Sequence, residues 1–241
     1  MSIVKTSDIY KLKVMVIQEY NIINRIFIGC NYNDKAIKRQ FDSLKASIEN
    51  DTAWHFVIID KRMLQSASDI WNDIKEEIFS SSACFFDVTA FRPNVVLELG
   101  YSFSLKNEDQ IFITVRERKN KGQSPKWLLS DITHLTKLPY KNLTHLEKIV
   151  RTQIKKLPFE SHLNDFKEKC RKTATPSKYA EYGLRVMQAI RDEGDKSDAQ
   201  VKYLLFGSNC HFKKITDLLK SSKLIKKRPG RNGKWTFYHS S

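Results

Sequence analysis

Two carboxylates, Asp87 and Glu98, lie in a segment with the pattern of a ligand-binding crevice. Residues 83–87 are apolar up to Asp87, and a loop carrying Asn94 leads into a second apolar stretch that contains a single acid, Glu98. This pattern predicts a strand, a turn and the start of a helix. Ligands bind at such places in open α/β sheets, because strand carboxyl ends and helix amino ends converge there. We therefore predict that Glu98 lies at the mouth of a crevice, where it either acts in catalysis or simply caps or pairs on a helix face.

The elements that must position these carboxylates form a repeated strand and helix pattern. Apolar runs predict the strands, and apolar residues at helical spacing separate most of them. The predicted strands cover residues 25–30, 54–60, 83–87 and 110–115, with a fifth near 138–141. Such alternation predicts right-handed crossovers and a parallel sheet. The predicted fold class is therefore α/β, with a Rossmann-like or flavodoxin-like parallel sheet of about five strands.

Three residues that follow predicted strands are candidates for binding a substrate. Gly29 ends the first strand, where the lack of a Cβ would let the backbone approach a ligand closely. Tyr32 could stack on a base or a nicotinamide ring, or it could be a packing residue of its loop. Arg62 follows the second strand and could contact a phosphate through its planar guanidinium, or it could be a solvated loop cation.

Residues 87–101 resemble the signature of the nucleoside 2-deoxyribosyltransferase-like and TIR-like nucleotide-binding superfamily, Asp-(Val/Leu)-Thr…Asn-Pro-Asn-Val…Glu-Leu-Gly. The residues that carry the resemblance are Asp87, Val88, Thr89, Pro93, Asn94, Val95, Glu98, Leu99 and Gly100. A less specific similarity covers roughly residues 22 to 157. Asn31 stands where the superfamily commonly has a proline, so the substrate preference of the superfamily is not carried over to this chain.

The resemblance implies cleavage of an N-glycosidic bond. Glu98 would be the nucleophile, or the carboxylate that stabilises an oxocarbenium-like anomeric carbon. Asp87 would hold a ribose hydroxyl or assist proton transfer, and Asn94 would position Glu98 or the ligand. NAD, a deoxynucleotide and a nucleoside are all open as the substrate, and no cofactor is expected.

The composition predicts an anionic partner and a cytoplasmic protein. The 241-residue chain has a formal charge of +15 and a pI near 9.6, which favours nucleic acid, a nucleotide or an acidic lipid as the partner. The four cysteines are far apart and include no Cys-x-x-Cys pair, so neither a zinc site nor a disulfide framework is predicted. No apolar run reaches the length of a membrane span, and the start of the chain lacks a signal-peptide core. We expect no metal and no membrane partner.

The carboxy-terminal third is predicted to be a separate domain. Residues 1–157 would form the deoxyribosyltransferase-like domain, residues 158–178 a charged linker, and residues 179–241 three helices and a hairpin that look like a winged helix. Basic residues on the third helix and on the hairpin predict nucleic-acid binding. These residues are Lys213, Lys214, Lys220, Lys227, Arg228, Arg231 and Lys234. Winged helices also dock on proteins, in which case these charges would only solvate a face.

Two functions remain open at this point. The first is N-glycosidic cleavage by Glu98 under the control of a nucleic-acid-binding domain, an architecture that resembles bacterial antiphage effectors. The alternative is a non-catalytic nucleotide-sensing domain that controls a DNA-binding winged helix. Both accommodate a homo-oligomer or a regulatory partner protein. They differ in one observable, the release of a free base from a nucleotide.

Overall fold

The chain is built on one parallel sheet with the strand order β2-β1-β3-β4-β5. The computed structural model describes residues 22–59, 67–89, 91–117, 137–207, 209–228 and 233–237. The strands are β1 (Ile22–Gly29), β2 (His55–Val57), β3 (Ser81–Asp87), β4 (Ile111–Arg116) and β5 (Lys137–Tyr140). The predicted α/β class, with a Rossmann-like or flavodoxin-like parallel sheet, is confirmed.

Helices cover both faces of this sheet. One face packs against α2 (Ala67–Ser80) and α3 (Pro93–Phe103), and the other against α1 (Lys35–Asp51), α4 (Leu143–Ile154) and α5 (Pro158–Arg171). Successive side chains of a strand point to opposite faces, so Ile26 and Ile28 join one core cluster while Phe27 joins the other. All seven residues of β3 are buried, as expected for the central strand of a covered parallel sheet.

Local sequence sets where the two helices that flank the crevice begin. The carboxylate of Asp34 accepts hydrogen bonds from the backbone N–H groups of Ala36 at 2.8 Å and Ile37 at 3.2 Å. These bonds satisfy donors that the first turn of α1 would otherwise leave unpaired. Pro93 is the first residue of α3, where its fixed φ suits the helix and its missing N–H costs nothing. Both helices therefore start at the edge of the sheet where β1 and β3 end.

The segment predicted to be a linker, residues 158–178, is helical over most of its length. α5 occupies Pro158–Arg171 and contributes four buried side chains to the larger core. They are Phe159, Leu163, Phe166 and Cys170, at positions i, i+4, i+7 and i+11, which share one face of a helix. The linker prediction is therefore corrected for this stretch, because its apolar face belongs to the core.

Residues 176–237 contain the predicted three helices and hairpin, and we call this part the C-terminal unit. The elements are α6 (Pro176–Glu193), α7 (Asp198–Leu204), α8 (Asn209–Ser221), β6 (Ile225–Lys227) and β7 (Trp235–Phe237), the two strands being antiparallel. Lys196 extends this small sheet by pairing with Trp235 through backbone hydrogen bonds of 3.0 and 2.7 Å.

The C-terminal unit shares its core with the sheet domain. The ring of Phe159 lies edge-on to those of Trp54 and Phe237, with centroid distances of 4.9 and 6.1 Å. Nη1 of Arg191 donates to three backbone carbonyls between residues 49 and 54, at 2.9 to 3.1 Å. These carbonyls lie in the last turn of α1 and just after it, where backbone acceptors lack helical partners. The unit is therefore attached by both apolar packing and hydrogen bonds.

Lys106 is a buried cation beside the first residues of β3. Its Nζ donates to the carbonyls of Phe79 at 2.9 Å and Ser81 at 2.5 Å. Burial lowers the pKa of Lys106 from 10.5 to about 8. Between these two values the unfolded chain holds a proton that the folded chain lacks, so this group makes the folded state more stable as the pH rises.

We predict that the unfolding free energy of the wild type minus that of Lys106→Met increases by up to ~1.4 kcal/mol per pH unit above pH 8. Methionine keeps the apolar stem but cannot titrate, so the comparison removes the contributions of all other groups. Denaturant titrations of both proteins on either side of pH 8 measure the difference. A difference that stays constant as the pH rises would contradict the prediction.

Candidate active site

A cavity of about 300 Å³ opens where β1 ends and α3 begins. Its walls come from the loop after β1, the segment after β2 and the first two turns of α3. The lining residues are Phe27, Ile28, Cys30, Asn31, Tyr32, Asn33, Ile58, Ile59, Ile74, Arg92, Pro93, Asn94, Val95 and Glu98. The cavity therefore lies at the carboxyl end of the parallel strands, which is the usual ligand position in such sheets, and its volume is at the lower end of the range for small-molecule sites.

Glu98 is the carboxylate of this cavity. It is 7 % exposed and lies on the same face of α3 as Val95 and Leu99, which pack on the sheet. The residue preceding α3 is Arg92, so Glu98 is too far along the helix to cap it. Burying a carboxylate costs free energy, and a solvated helix face would not incur that cost. The position of Glu98 therefore rules out the capping alternative, and its catalytic role stays a prediction.

Gly29 makes room for the Glu98 carboxylate. A Cβ at residue 29 would lie 2.8 Å from Oε2 of Glu98 and 2.5 Å from Cδ1 of Phe86, well inside the optimal contact distance of nonbonded atoms. The end of β1 therefore closes on Phe86 and Glu98 only because residue 29 is a glycine. The groups that Gly29 approaches closely in the structure are thus side chains of the protein itself.

Asp87 is not among the residues that line the cavity. It is 4 % exposed, and its two carboxylate oxygens accept hydrogen bonds from the backbone N–H of Thr89 at 2.8 Å and from the hydroxyl of Tyr140 at 2.7 Å. Burial raises the pKa of Asp87, while these hydrogen bonds oppose the rise. Burial and the charge of Asp87 raise the pKa of Tyr140, so its hydroxyl keeps its proton. In this arrangement Asp87 ties the end of β3 to β5.

Tyr32 is fixed in the cavity wall by two charged residues of α1. Its hydroxyl donates to Oδ1 of Asp42 at 2.5 Å and accepts from Nζ of Lys38 at 2.9 Å. The same Nζ lies 4.4 Å from the centroid of the Tyr32 ring, within the range of a cation–π contact. The loop after β1 therefore has a defined shape at the position predicted to contact the substrate.

Cys30 contributes a neutral thiol to the same wall. Burial, and after it the negative charges of Asp87 and Glu98, raises the pKa of the Cys30 thiol well above its ordinary value. The thiolate is the nucleophilic form of cysteine. Cys30 is therefore not suited to nucleophilic attack, and Glu98 is the better candidate among these cavity residues.

Asn31 is a cavity residue that the sequence did not single out for binding. It is 7 % exposed, and its Nδ2 has no hydrogen-bond partner among the described residues. Most buried polar groups are hydrogen-bonded, so this amide is a candidate donor to a ligand. Its sequence signal was only that of a loop asparagine, which is equally typical of a turn.

The start of α3 places polar groups at the rim of the cavity. Arg92 precedes the helix and Asn94 is its second residue, and both are exposed while lining the cavity. A helix amino terminus and an arginine favour an anionic group on a ligand. Arg62, the residue predicted to contact a phosphate, lies outside the described residues.

The basic residues predicted to bind nucleic acid fall into two groups. The first group consists of exposed residues that form no ion pair with the described acids, namely Lys213, Lys214, Lys220 and Lys234. Lys227 and Arg228 instead pair with carboxylates of the C-terminal unit, Asp198 at 2.7 Å and Asp195 at 3.1 Å. Their charges are therefore partly compensated. Arg231 lies outside the described residues.

In the described part of the chain, no group of three or more His, Cys, Asp or Glu side chains is placed to hold a metal ion. None of the helices with described residues is both long and apolar enough to cross a membrane.

Comparisons with known proteins show similarity in structure to solved proteins. No family model matches the chain, and no curated protein matches it in sequence. Among solved structures, the chain is similar to a CMP N-glycosidase of Clostridium botulinum, BcmB, with 13 % sequence identity and a TM-score of 0.40. The match covers 53 % of this chain and 98 % of that chain. The strand order defines this chain as a parallel α/β protein. A buried carboxylate, that of Glu98, lines the cavity at the carboxyl edge of its sheet.

Proposed function

We propose that this protein cleaves the N-glycosidic bond of NAD, a nucleotide or a nucleoside, with Glu98 acting on the anomeric carbon. The observation that carries the proposal is the buried Glu98 carboxylate on the wall of the cavity at the carboxyl end of the sheet. The resemblance of residues 87–101 to a superfamily that performs this reaction supports the same chemistry.

The proposed reaction needs a carboxylate on one side of the sugar and room for the leaving base on the other. As the bond between the anomeric carbon and the base nitrogen breaks, its electron pair goes to the nitrogen. Nicotinamide, which is a cation in NAD, then leaves as a neutral base, whereas a nucleobase also takes up a proton from solvent. Glu98 stabilises the positive charge on the anomeric carbon or bonds to it, as carboxylates do in retaining glycosidases. Water then releases the sugar in a hydrolase, and a second base accepts it in a transferase.

Three features of the cavity suit a nucleotide. Its apolar walls, which include Ile58 and Ile59, can pack on a base, and the Tyr32 ring lines the same cavity with its hydroxyl bound to α1. Arg92 and the start of α3 offer positive charge to a phosphate. Asn31 offers an amide donor that has no partner among the residues that the structure describes.

Product analysis tests the proposal. The protein would be incubated with NAD, nucleoside monophosphates, deoxynucleotides and nucleosides, each with and without nucleic acid, and released bases identified by chromatography and mass. Release of a base from one member of the panel is the expected result. If calorimetry detects nucleotide binding but no base is released under any condition, the alternative of a non-catalytic nucleotide-sensing regulator is favoured.

We predict that Asn31→Ala weakens substrate binding about fivefold while leaving the melting temperature unchanged, because a neutral hydrogen bond contributes about 1 kcal/mol and Nδ2 has no described protein partner. KM from initial rates measures the effect. The matched control is Asn24→Ala at the start of β1, whose buried amide donates to the carbonyl of Ala53 at 2.9 Å. This control should lower the melting temperature and leave KM unchanged. The opposite pattern would show that Asn31 is structural.

The C-terminal unit is proposed to bind nucleic acid and to regulate the cavity. Its three helices and hairpin occur in the order of a winged helix, and exposed lysines lie on α8 and beside β7. The shared core and the bonds of Arg191 connect this unit to the sheet domain. An N-glycosidase controlled in this way fits the proposed role of an antiphage effector, in which nucleic acid would be the signal.

A further inference from the structure

The C-terminal unit exposes two large aromatic side chains close together in sequence. Tyr203 is 84 % exposed and Phe206 is 72 % exposed. Among the described residues, Leu97 is the other large apolar side chain that is exposed, and it lies on α3 of the sheet domain. An exposed aromatic pair is more informative than a single exposed leucine, since rings are usually buried or used in binding.

Phe206 stands at the solvent end of a series of ring contacts. Its ring centroid lies 6.1 Å from that of Tyr182, which lies 5.4 Å from that of His211, which in turn lies 5.8 Å from that of Tyr179. Tyr182 is buried. Phe206 is therefore supported from within the unit while most of its own surface faces solvent.

Cations alternate with these rings. The guanidinium carbon of Arg185 lies 5.2 Å from the Phe206 centroid, and Nζ of Lys178 lies 5.5 Å from that of Tyr182. On α7, Nζ of Lys202 lies 5.2 Å from the ring of Phe212 at the start of α8. The surface thus offers ring faces and positive charge, although Glu181 partly compensates the charge of Arg185 through an ion pair of 2.8 Å.

The backbone places the Phe206 ring at the end of α7 in spite of an unfavourable conformation. Phe206 has φ 57°, and the following Gly207 has φ 72°. The N–H of Gly207 donates to the carbonyl of Lys202 at 2.9 Å and that of Phe206 to the carbonyl of Tyr203 at 3.1 Å, which is the pattern of a Schellman motif. Glycine is the usual residue at the position that Phe206 occupies. Strained residues of this kind occur preferentially at functional sites.

We propose that this aromatic–basic surface, made of Arg185, Lys202, Tyr203 and Phe206, binds unpaired bases of single-stranded nucleic acid. Single strands expose base faces that a duplex hides, and proteins bind them by combining aromatic stacking with cations along the backbone. A duplex would use the lysines of α8 but leave the two exposed rings without a partner. The inference rests on the proposed nucleic-acid binding of the C-terminal unit and specifies which form of nucleic acid is bound.

The test compares three labelled probes of equal length by fluorescence anisotropy with the full chain. They are a single strand, the corresponding duplex, and an abasic strand that keeps the phosphates but has no bases. Wild type should bind the single strand about a hundredfold more tightly than the abasic strand, since each of the two exposed rings can stack on one base and each stack adds about tenfold. Tyr203→Leu and Phe206→Leu keep apolar bulk but lose the ring, and each should bind the single strand about tenfold more weakly while binding the duplex as wild type does.

Matched variants separate the inference from the proposal beneath it. Leu97→Ala removes an exposed apolar side chain from the sheet domain and should change none of the affinities. Phe206→Gly restores the usual residue of the Schellman motif, so its melting temperature should be maintained while its affinity for the single strand falls. Equal binding of single strand and duplex, or unchanged affinities in both leucine variants, would overturn the inference alone. Failure of wild type to bind any probe would overturn nucleic-acid binding itself.

Discussion

Glu98→Gln is expected to lower the rate of base release by roughly 10³- to 10⁴-fold, the range typical for loss of a residue that stabilises the transition state. Glutamine keeps the shape of the side chain against Gly29 and Phe86 but has no negative charge to offer the anomeric carbon. Because the charge on that carbon develops in the transition state, kcat should fall while KM changes little. Single-turnover rates with the substrate found in the panel measure the effect.

The control for this variant is Glu77→Gln. Glu77 is a partly buried carboxylate of α2 that pairs with Arg25 of β1 at 2.6 Å. It lines no part of the cavity, so its loss should affect stability but leave kcat unchanged. A folded Glu98→Gln protein that turns over at the wild-type rate would remove Glu98 from the mechanism.

A chain that ends at Leu157 is expected not to fold cooperatively. The cut removes α5 and the C-terminal unit, so Trp54 loses its ring contact with Phe159 and its indole hydrogen bond to Glu160 at 3.1 Å. The larger core cluster runs without interruption from the sheet through α5 to β7. The fragment would therefore expose a contiguous apolar face, which favours expanded or aggregated states. Denaturant titration and the dispersion of the NMR spectrum measure the outcome.

Two full-length variants calibrate this expectation. Phe159→Ala should cost about 3–5 kcal/mol of unfolding free energy, the range for a large buried aromatic residue, because Phe159 is 0 % exposed. Leu97→Ala, at a residue that is 58 % exposed, should cost less than about 0.5 kcal/mol. A fragment ending at Leu157 with one sharp transition and a dispersed spectrum would instead support the boundary predicted from the sequence.

The sheet and the position of Glu98 were predictable because they depend on local patterns. Continuous apolar runs are typical of parallel strands that are buried on both faces, and β3 followed by Pro93 at the start of α3 has the expected signals of a strand and a helix start. The carboxylate of Glu98 follows from its place in that pattern. Its proximity to Gly29 does not, since the two residues meet only when β1 and α3 pack together.

Other features depended on contacts between distant residues or on a misread signal. The acids that pair with Lys227 and Arg228 lie about thirty residues earlier in the chain, so charge counting overstated the free charge of the hairpin. The start and the full length of α5 were missed because Pro158 was interpreted only as the end of a helix, although proline is also common at the first helical position. Asp87 has the sequence context of a site residue, yet its oxygens are engaged by Thr89 and Tyr140.

The bonds from α6 to residues 49–54 have a thermodynamic consequence. Arg191 and Gln188 bind the carbonyls of this segment, which leads through β2 to the cavity wall at Ile58 and Ile59. The same helix carries Arg185 of the aromatic–basic surface and Tyr182, which supports Phe206 from within. If a strand bound there changes the affinity of the cavity for its nucleotide, linkage requires the nucleotide to change the affinity for the strand by the same factor. A fall in the concentration of that nucleotide would then change the affinity of the protein for the strand. Binding of the strand would therefore depend on the concentrations of both the strand and the nucleotide.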